Sequence, residues 1–429
     1  MIKINKNKKI KLAIIGLGYV GLPLACAFSK KMKVISFDVD KRRIQDLKKG
    51  IDNNREILKS RLKKNKNLVL TFDEEKLKDC NFFIITVPTP IFKNKKPNLN
   101  NLISATKLIA KYITKGSFVV YESTVYPGCT EEICLPIIER ISGYRVNNEF
   151  FCGYSPERIN PGDKKNKLEN IKKIISGSNN YSTNLIDQLY KIIIKAGTYR
   201  AKNIKTAEAA KIIENTQRDI NIALMNEFSL ICNKLKINTN DAINAASTKW
   251  NFLNFKPGLV GGHCIGVDPY YLSFKAKQIN YNPKIILSGR EVNDKMPVII
   301  VKNLIRTLKK RNFKDFSRIK ILIIGLAFKE NCSDIRNSKS VELIKLLQKK
   351  NFRVFSYDPV AFISDNSLKK IFGYQKNLKK NYYDVILLSV PHKTIINKGS
   401  KFIKKAGKKN FVFFDLKSAI PNIKSMYNL

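Results

Sequence analysis

The sequence predicts an α/β protein in which two Rossmann-like domains, each a doubly wound parallel sheet, are joined by a central all-helical domain. Three observations predict it. Short apolar runs alternate with helical stretches in both terminal thirds, as in a parallel sheet covered by helices. A glycine-rich turn, Gly16-Leu17-Gly18-Tyr19-Val20-Gly21, directly follows the first such run. From about residue 204 to 308 the strand signal gives way to long helical patterns. With 429 residues the chain exceeds what one core supports. The expected boundaries are 1–203 for a dinucleotide-binding domain, 204–312 for the helical domain and 313–429 for the second Rossmann-like domain.

The first strand is read at 11–15, and an apolar helix continues from Gly21 to about residue 30. A second strand at 34–37 ends in Asp38, 22 residues beyond Gly16. Further strands are read at 82–87, 118–121 and 150–154. The central block carries a helix over 207–235 with few breakers. Its Ile212, Ile220, Leu224, Phe228 and Ile231 put apolar groups on more than one face, so a neighbour such as a second subunit should bury it. The last block repeats the first. Its strand at 320–324 ends at Gly325, 354–357 ends at Asp358, and 385–389 leads to Val390-Pro391 as the earlier run leads to Val87-Pro88. The second copy has Gly325-Leu326-Ala327-Phe328-Lys329 where the first has three glycines.

Composition narrows the function classes. Eighty Lys and Arg against 34 Asp and Glu give a formal net charge of +46. The excess is spread over every segment, and Lys, Asn and Ile are abundant together while Arg is sparse, which points to AT-rich coding rather than a nucleic-acid groove. The lysines are read as a solvated surface that weakly attracts anionic substrates, and no nucleic-acid partner is expected. No apolar run reaches the roughly 18–20 residues of a membrane helix, so no membrane partner is expected. The basic start runs straight into a strand without a secretory core or cleavage site, so a cytoplasmic location is expected. Cys26, Cys80, Cys129, Cys134, Cys152, Cys232, Cys264 and Cys332 are scattered without a CxxC pair or His at metal spacing, so neither disulfides nor a metal are expected.

Several constellations carry chemistry. Gly16 permits the tight turn, Gly18 lets the backbone approach a pyrophosphate, and Gly21 allows close helix packing, while the helix N-terminus stabilises negative charge. Asp38 is placed to hold ribose hydroxyls and to repel a 2′-phosphate, which favours NAD over NADP. Thr86-Val87-Pro88-Thr89-Pro90, Ser123-Thr124-Val125-Tyr126-Pro127-Gly128 and Ser155-Pro156-Glu157-Arg158 each follow an apolar strand and should converge on one sheet edge. Cys264 lies in Gly261-Gly262-His263-Cys264-Ile265-Gly266-Val267-Asp268, where glycines leave room for a substrate at sulfur and Asp268 follows as an acid. His263 is adjacent to the thiol, but adjacent side chains diverge; His392 is read as packing. Lys211 and Asn215, four apart, share one face of the central helix, beside Glu208, Glu214 and Glu227.

On these residues the sequence resembles the UDP-glucose/GDP-mannose dehydrogenase family, and within it the UDP-N-acetylhexosamine 6-dehydrogenases of surface-polysaccharide synthesis, of the Vi-antigen type. The matching segments are 16–21, 123–128, 155–162, 208–227, 261–272, 325–338 and Tyr357-Asp358-Pro359. The resemblance implies a four-electron oxidation of a sugar C6 alcohol to the carboxylate with two NAD in succession, through a thiohemiacetal and a thioester on Cys264. It places Thr124, Glu157, Lys211, Asn215, Cys264 and Asp268 at catalytic positions. It implies cofactor contacts at Gly16, Gly18, Tyr19, Val20, Gly21, Asp38, Thr86, Pro88, Thr89, Ser123, Thr124, Lys329 and Arg336. Sugar-nucleotide contacts are implied at Glu157, Arg158, Ile159, Lys211, Asn215, Phe255, Gly258, Gly261, Phe328 and Lys329. Lys329, Asp334 and Arg336 fall on a Phe-Lys-x-x-x-x-Asp-x-Arg signature, and the last domain is expected to bind the UDP half. Pro161 stands where other members carry a second Glu, so no role transfers to it. The substrate implied is a UDP-N-acetylhexosamine, UDP-N-acetylglucosamine or UDP-N-acetylgalactosamine. UDP-glucose, UDP-N-acetylmannosamine and GDP-mannose are the alternatives. A homodimer through the central helices is expected.

Overall fold

The computed structural model describes residues 3–5, 8–54, 56–159, 167–361, 363 and 366–429, so Pro161 and Gly162 lie outside the described residues. The chain forms two compact units, residues 1–214 with 270–282, and residues 215–269 with 283–429.

In the first unit a two-stranded antiparallel pair, β1 (Lys3–Asn5) and β2 (Lys8–Lys9), precedes the main sheet. That sheet comprises β3 (Leu12–Ile15), β4 (Val34–Phe37), β5 (Leu68–Thr71), β6 (Phe82–Ile85), β7 (Ser117–Tyr121), β8 (Phe150–Tyr154), β9 (Lys173–Gly177) and β10 (Thr198–Arg200). Every residue of β3, β6 and β7 is buried, which requires cover on both faces of the sheet. The helices α1 (Gly21–Phe28), α2 (Lys41–Lys48), α3 (Lys59–Lys63), α4 (Asn100–Ala110), α5 (Leu135–Ser142) and α6 (Asn180–Lys191) intersperse the strands. On one side Leu22, Phe28, Ile44, Phe82, Phe118, Leu185 and Tyr190 share a core cluster.

The strand order is β10-β9-β8-β7-β6-β3-β4-β5. All neighbours are parallel except β8 and β9, so the sheet departs from the fully parallel one expected. Counting from β3, the first six strands lie in the 3-2-1-4-5-6 order of a dinucleotide-binding fold, with the switch point between β3 and β6. The register pairs Ile15 with both Phe37 and Ile85, Ile85 with Tyr121, and Tyr121 with Tyr154. The residues that follow, Gly16, Asp38, Thr86, Glu122 and Ser155, therefore share one carboxyl edge.

The long helix α7 (Ile204–Leu235) belongs to the first unit up to Glu214 and to the second from Asn215. The second unit adds α8 (Thr239–Ala246) and the 27-residue α10 (Lys284–Lys310); a further helix, α9 (Asp268–Gln278), begins in it and passes into the first unit at Tyr270. Its sheet has the order β12-β11-β13-β14, all parallel: β11 (Lys320–Ile324), β12 (Arg353–Tyr357), β13 (Tyr383–Leu388) and β14 (Gly407–Asp415). Helices α11 (Lys339–Gln348), α12 (Asn366–Ile371) and α13 (Lys393–Ala406) complete it.

Asp358 ends β12 as Asp38 ends β4, but it is saturated. Its carboxylate accepts from the amides of Leu326 (2.7 Å), Ala327 (3.1 Å), Val360 (2.8 Å) and Ala361 (2.7 Å). His392 Nε2 stands 3.0 Å from it, while His392 Nδ1 accepts from the Asn331 amide, so the imidazole proton lies on Nε2. His392 is thus fully buried, as read from sequence, and hydrogen-bonded at both nitrogens. Burial opposes ionisation of Asp358, but His392 and the amides outweigh it and hold the carboxyl below the usual range. Because that value is depressed on folding, the stability it contributes is present at neutral pH and lost as pH falls through the carboxylate range. Asp358→Ala is expected to cost about 3–5 kcal/mol in urea unfolding at neutral pH, and the cost should shrink in acid; an equal cost at both pH values contradicts this.

Candidate active site

The cofactor cradle is built by exclusion of side chains. Gly16 adopts φ +91°, which a side chain resists, and a Cβ at Gly21 would lie 1.8 Å from the Gly16 carbonyl oxygen. Thr86 closes the same turn from below, its hydroxyl donating to the carbonyls of Ile15 (3.0 Å) and Gly16 (2.7 Å). A Cβ at Gly18 would meet nothing within 4 Å, so the backbone there faces open space. Asp38 accepts from the amides of Leu17 (2.7 Å) and Asp40 (2.9 Å), one bond to each oxygen, and stays partly exposed. Arg43, which the sequence reading passed over, donates to the Leu17 carbonyl at 3.0 and 3.1 Å and pairs with Asp52 at 2.8 Å. A pyrophosphate fits at the bare turn and a ribose at the remaining lone pairs of Asp38.

The loops after β6 and β7 are stitched together. Ser123 donates to the Val87 carbonyl (2.7 Å), Thr89 to the Thr124 carbonyl (2.6 Å), and the Tyr271 hydroxyl to the carbonyls of Thr89 (2.9 Å) and Pro90 (3.1 Å). Tyr19, Val20, Thr89 and Thr124 are partly exposed and Pro88 is exposed. Glu208 anchors the far end of the second loop, accepting from the amides of Gly128 (2.5 Å) and Thr130 (2.9 Å), and burial pushes its carboxyl up to about 7.

At the next loop Glu157 is almost fully buried. One carboxylate oxygen accepts from the amides of Arg158 (2.6 Å) and Ile159, and the other faces Lys173 Nζ at 3.5 Å. Lys211 Nζ donates to the Glu157 carbonyl at 2.5 Å. Arg158 pairs with Glu214 at 2.8 Å and donates to the Lys172 carbonyl at 2.9 Å. Glu122, Lys173 and Tyr190, which close this cluster, were not singled out by the sequence.

In the second unit Cys264 is partly exposed, a condition shared only with Cys232 among the eight cysteines. Its carbonyl accepts from the amides of Val267 (3.0 Å) and Asp268 (2.8 Å), which starts α9. The fully buried Asn215 donates to the Asp268 carboxylate and accepts from Arg218. Gly261 and Gly262 are required by packing. A Cβ on Gly261 would stand 2.6 Å from the Asn337 carbonyl, and one on Gly262, at φ +86°, 2.6 Å from the Phe328 ring. His263 turns to Asp334 (3.0 Å), which also takes a bidentate pair from Arg336. Lys329 Nζ lies 5.5 Å over the Phe328 ring. Gly258 is clamped by Asn226, whose amide accepts from its N–H (2.8 Å) and donates to its carbonyl (3.0 Å). Phe255 is partly exposed.

The second and third glycines of the turn separate fold from binding. Gly21→Ala is expected to lower Tm by several degrees, since overpacking costs about 1–3 kcal/mol, and to weaken NAD binding with it. Gly18→Ala should leave Tm nearly unchanged and weaken NAD binding alone in titration calorimetry; a large Tm loss there contradicts the cradle.

Models of the UDP-glucose/GDP-mannose dehydrogenase family match residues 10–194 (NAD binding domain), 205–295 (central domain) and 322–422 (UDP binding domain). The chain is 50% identical over 415 residues to a UDP-N-acetyl-D-glucosamine 6-dehydrogenase of Salmonella typhi, covering 96% of this chain and 97% of the relative. It is 49% identical over 419 residues to a protein of that name in Pseudomonas aeruginosa, covering 97% and 99%. The solved UDP-D-ManNAc dehydrogenase of Pyrococcus horikoshii superposes with a TM-score of 0.86 at 30% identity, covering 97% of each chain. The chain belongs to the UDP-glucose/GDP-mannose dehydrogenase family and is an NAD-dependent nucleotide-sugar dehydrogenase.

Proposed function

We propose that this enzyme oxidises the C6 hydroxyl of a UDP-N-acetylhexosamine, UDP-N-acetylglucosamine first among them, to the uronic acid for surface-polysaccharide synthesis. The observation that carries the sugar assignment is the near-complete match at 49–50% identity to two relatives named for that substrate. Relatives named for UDP-N-acetyl-D-mannosamine stand at 34% and 36%. UDP-N-acetylgalactosamine is the second candidate sugar.

In this reading Gly16, Gly18, Tyr19, Val20, Gly21 and Asp38 hold NAD, with Thr86, Pro88, Thr89, Ser123 and Thr124 shaping the loops beside it. NAD supplies the hydride acceptor, twice per sugar. The chain's residues manage bonds and protons. As C6 loses its first hydride a carboxylate, Asp268 or Glu157, receives the hydroxyl proton. The Cys264 sulfur then bonds to the aldehyde carbon, giving a thiohemiacetal, which on loss of the second hydride becomes a thioester. Water held by Thr124 breaks the C–S bond and releases the carboxylate and the thiol. Lys211 and Asn215 stabilise the oxyanion, and losing one preorganised donor of this kind costs about 10²–10³-fold in kcat. Arg158, Ile159, Phe255, Gly258, Gly261, Phe328, Lys329 and Arg336 contact the nucleotide sugar or close over it and the cofactor.

We place the enzyme in the cytoplasm, as a homodimer. Among the described residues no helix is long and apolar enough to cross a membrane. On α7, Leu224, Phe228, Ile231 and Leu235 are 47–63% exposed at intervals of three or four residues, a stripe suited to a second copy.

Incubation with NAD and a panel of nucleotide sugars should give two NADH per sugar, fastest with UDP-N-acetylglucosamine. One NADH per sugar, or a faster rate with UDP-glucose, overturns the assignment. Cys264→Ser is expected to lose acid formation; full turnover to acid rules out the thioester. Phe228→Glu with Ile231→Glu should convert dimer to monomer in sedimentation, and an unchanged mass excludes this face.

A further inference from the structure

The charges behind Glu157 are used by no step above, yet they are among the most deeply buried in the protein. β9 runs antiparallel to β8 with Tyr154 opposite Ser176, and three more residues in that register bring Lys173 opposite Glu157. The Lys173 side chain is 2% exposed, with Nζ 2.6 Å from Glu122 and 3.5 Å from Glu157. The Tyr190 hydroxyl donates to the other oxygen of Glu122, whose side chain is fully buried. From α7, Lys211 faces the Glu157 carbonyl, and Glu214 holds Arg158 aside.

We propose that Lys173 is a positioning residue for the dehydrogenase reaction: its buried ammonium, shared between the carboxylates of Glu122 and Glu157, holds Glu157 in one orientation and so fixes the turn whose carbonyl holds Lys211. The proposal rests on the roles given above to Glu157 and Lys211. Two buried carboxylates share the Lys173 ammonium, and the next charge is the Lys211 ammonium on the Glu157 carbonyl. Without the Lys173 ammonium the two like charges face each other at a buried site, which favours protonation of one of them. Burial pulls the Lys173 ammonium down, but Glu122 and then Glu157 outweigh it and keep its pKa above the ordinary lysine value. Glu122 is pushed up by burial against the opposing pull of Lys173. The cluster is therefore poised so that loss of Lys173 raises a carboxyl pKa toward the working range.

The sign follows. A raised carboxyl pKa leaves the carboxylate only at higher pH, so activity appears later as pH rises. In the full-length enzyme, Lys173→Met is expected to move the acid limb of the kcat profile for NAD reduction with UDP-N-acetylglucosamine upward by about one unit or more. Lys173→Arg should restore it. Glu122→Gln leaves Lys173 paired with Glu157 alone, so its limb should stay or move down. The double variant Glu122→Gln with Lys173→Met removes both charges and should return the limb toward wild type. That outcome also decides the matter if Lys173→Met alone does not fold. A wild-type profile in Lys173→Met, or a double variant shifted at least as far as the single, overturns the proposal while an impaired Glu157→Gln leaves the role of Glu157 standing. A Glu157→Gln enzyme with wild-type turnover at every pH overturns that role and the proposal together.

Discussion

The parallel register of the main sheet is the constraint on which the rest depends. With Ile15, Phe37, Ile85, Tyr121 and Tyr154 aligned across neighbouring strands, the chain segments that leave the sheet at its carboxyl edge do so side by side. Parallel strands also demand long crossovers, so residues far apart in sequence are brought together without any local signal linking them. The Gly16 turn, the Thr86 loop and the Ser123 loop can therefore be stitched by single hydrogen bonds, Thr86 to the Gly16 carbonyl and Ser123 to the Val87 carbonyl. Each bond is worth only about 1 kcal/mol, and the sheet makes it geometrically certain.

The repeated architecture of the second sheet gives two different surroundings to an aspartate at the same place. In both copies an aspartate closes the second strand and takes an amide from the first turn, Leu17 to Asp38 and Leu326 to Asp358. Asp38 receives one bond per oxygen and remains partly exposed, so lone pairs are left open. Asp358 receives four amides and an imidazole and is buried, so it anchors the turn instead. His392 thus occupies, in the second copy, the carboxylate that stays open in the first. The missing glycines of Gly325-Leu326-Ala327-Phe328-Lys329 fit the same difference.

The sequence displayed most of this where the signal was local. Buried strands such as Leu12–Ile15 and Phe82–Ile85 stand out because every residue is apolar, and glycines at 16, 18 and 21 announce their turn. The loops after β6 and β7 were legible because they follow such strands. β9 was not: Lys173-Ile174-Ile175-Ser176-Gly177 opens on a lysine in a chain full of lysines, and antiparallel pairing cannot be read from a run so short. With β9 unread, Lys173 and its partner Glu122 went unread too, and so did their contacts with Glu157. His263, which the sequence reading set apart from the thiol, has its ring on Asp334.

Burial turns the basic composition from noise into information. Among 80 lysines and arginines, only Lys173, Lys211 and Arg290 are buried in the described residues. An unpaired buried cation is so costly that each must end on compensating groups. Lys173 ends on the carboxylates of Glu122 and Glu157, and Lys211 on the Glu157 carbonyl. Arg290 pairs with Asp219, which binds Asn293, which binds Asn226, whose amide clamps both backbone groups of Gly258. All three chains of contact terminate on loops that carry candidate site residues. The surface lysines dilute any charge pattern in the sequence, but the interior keeps a cation only where a loop must be held still.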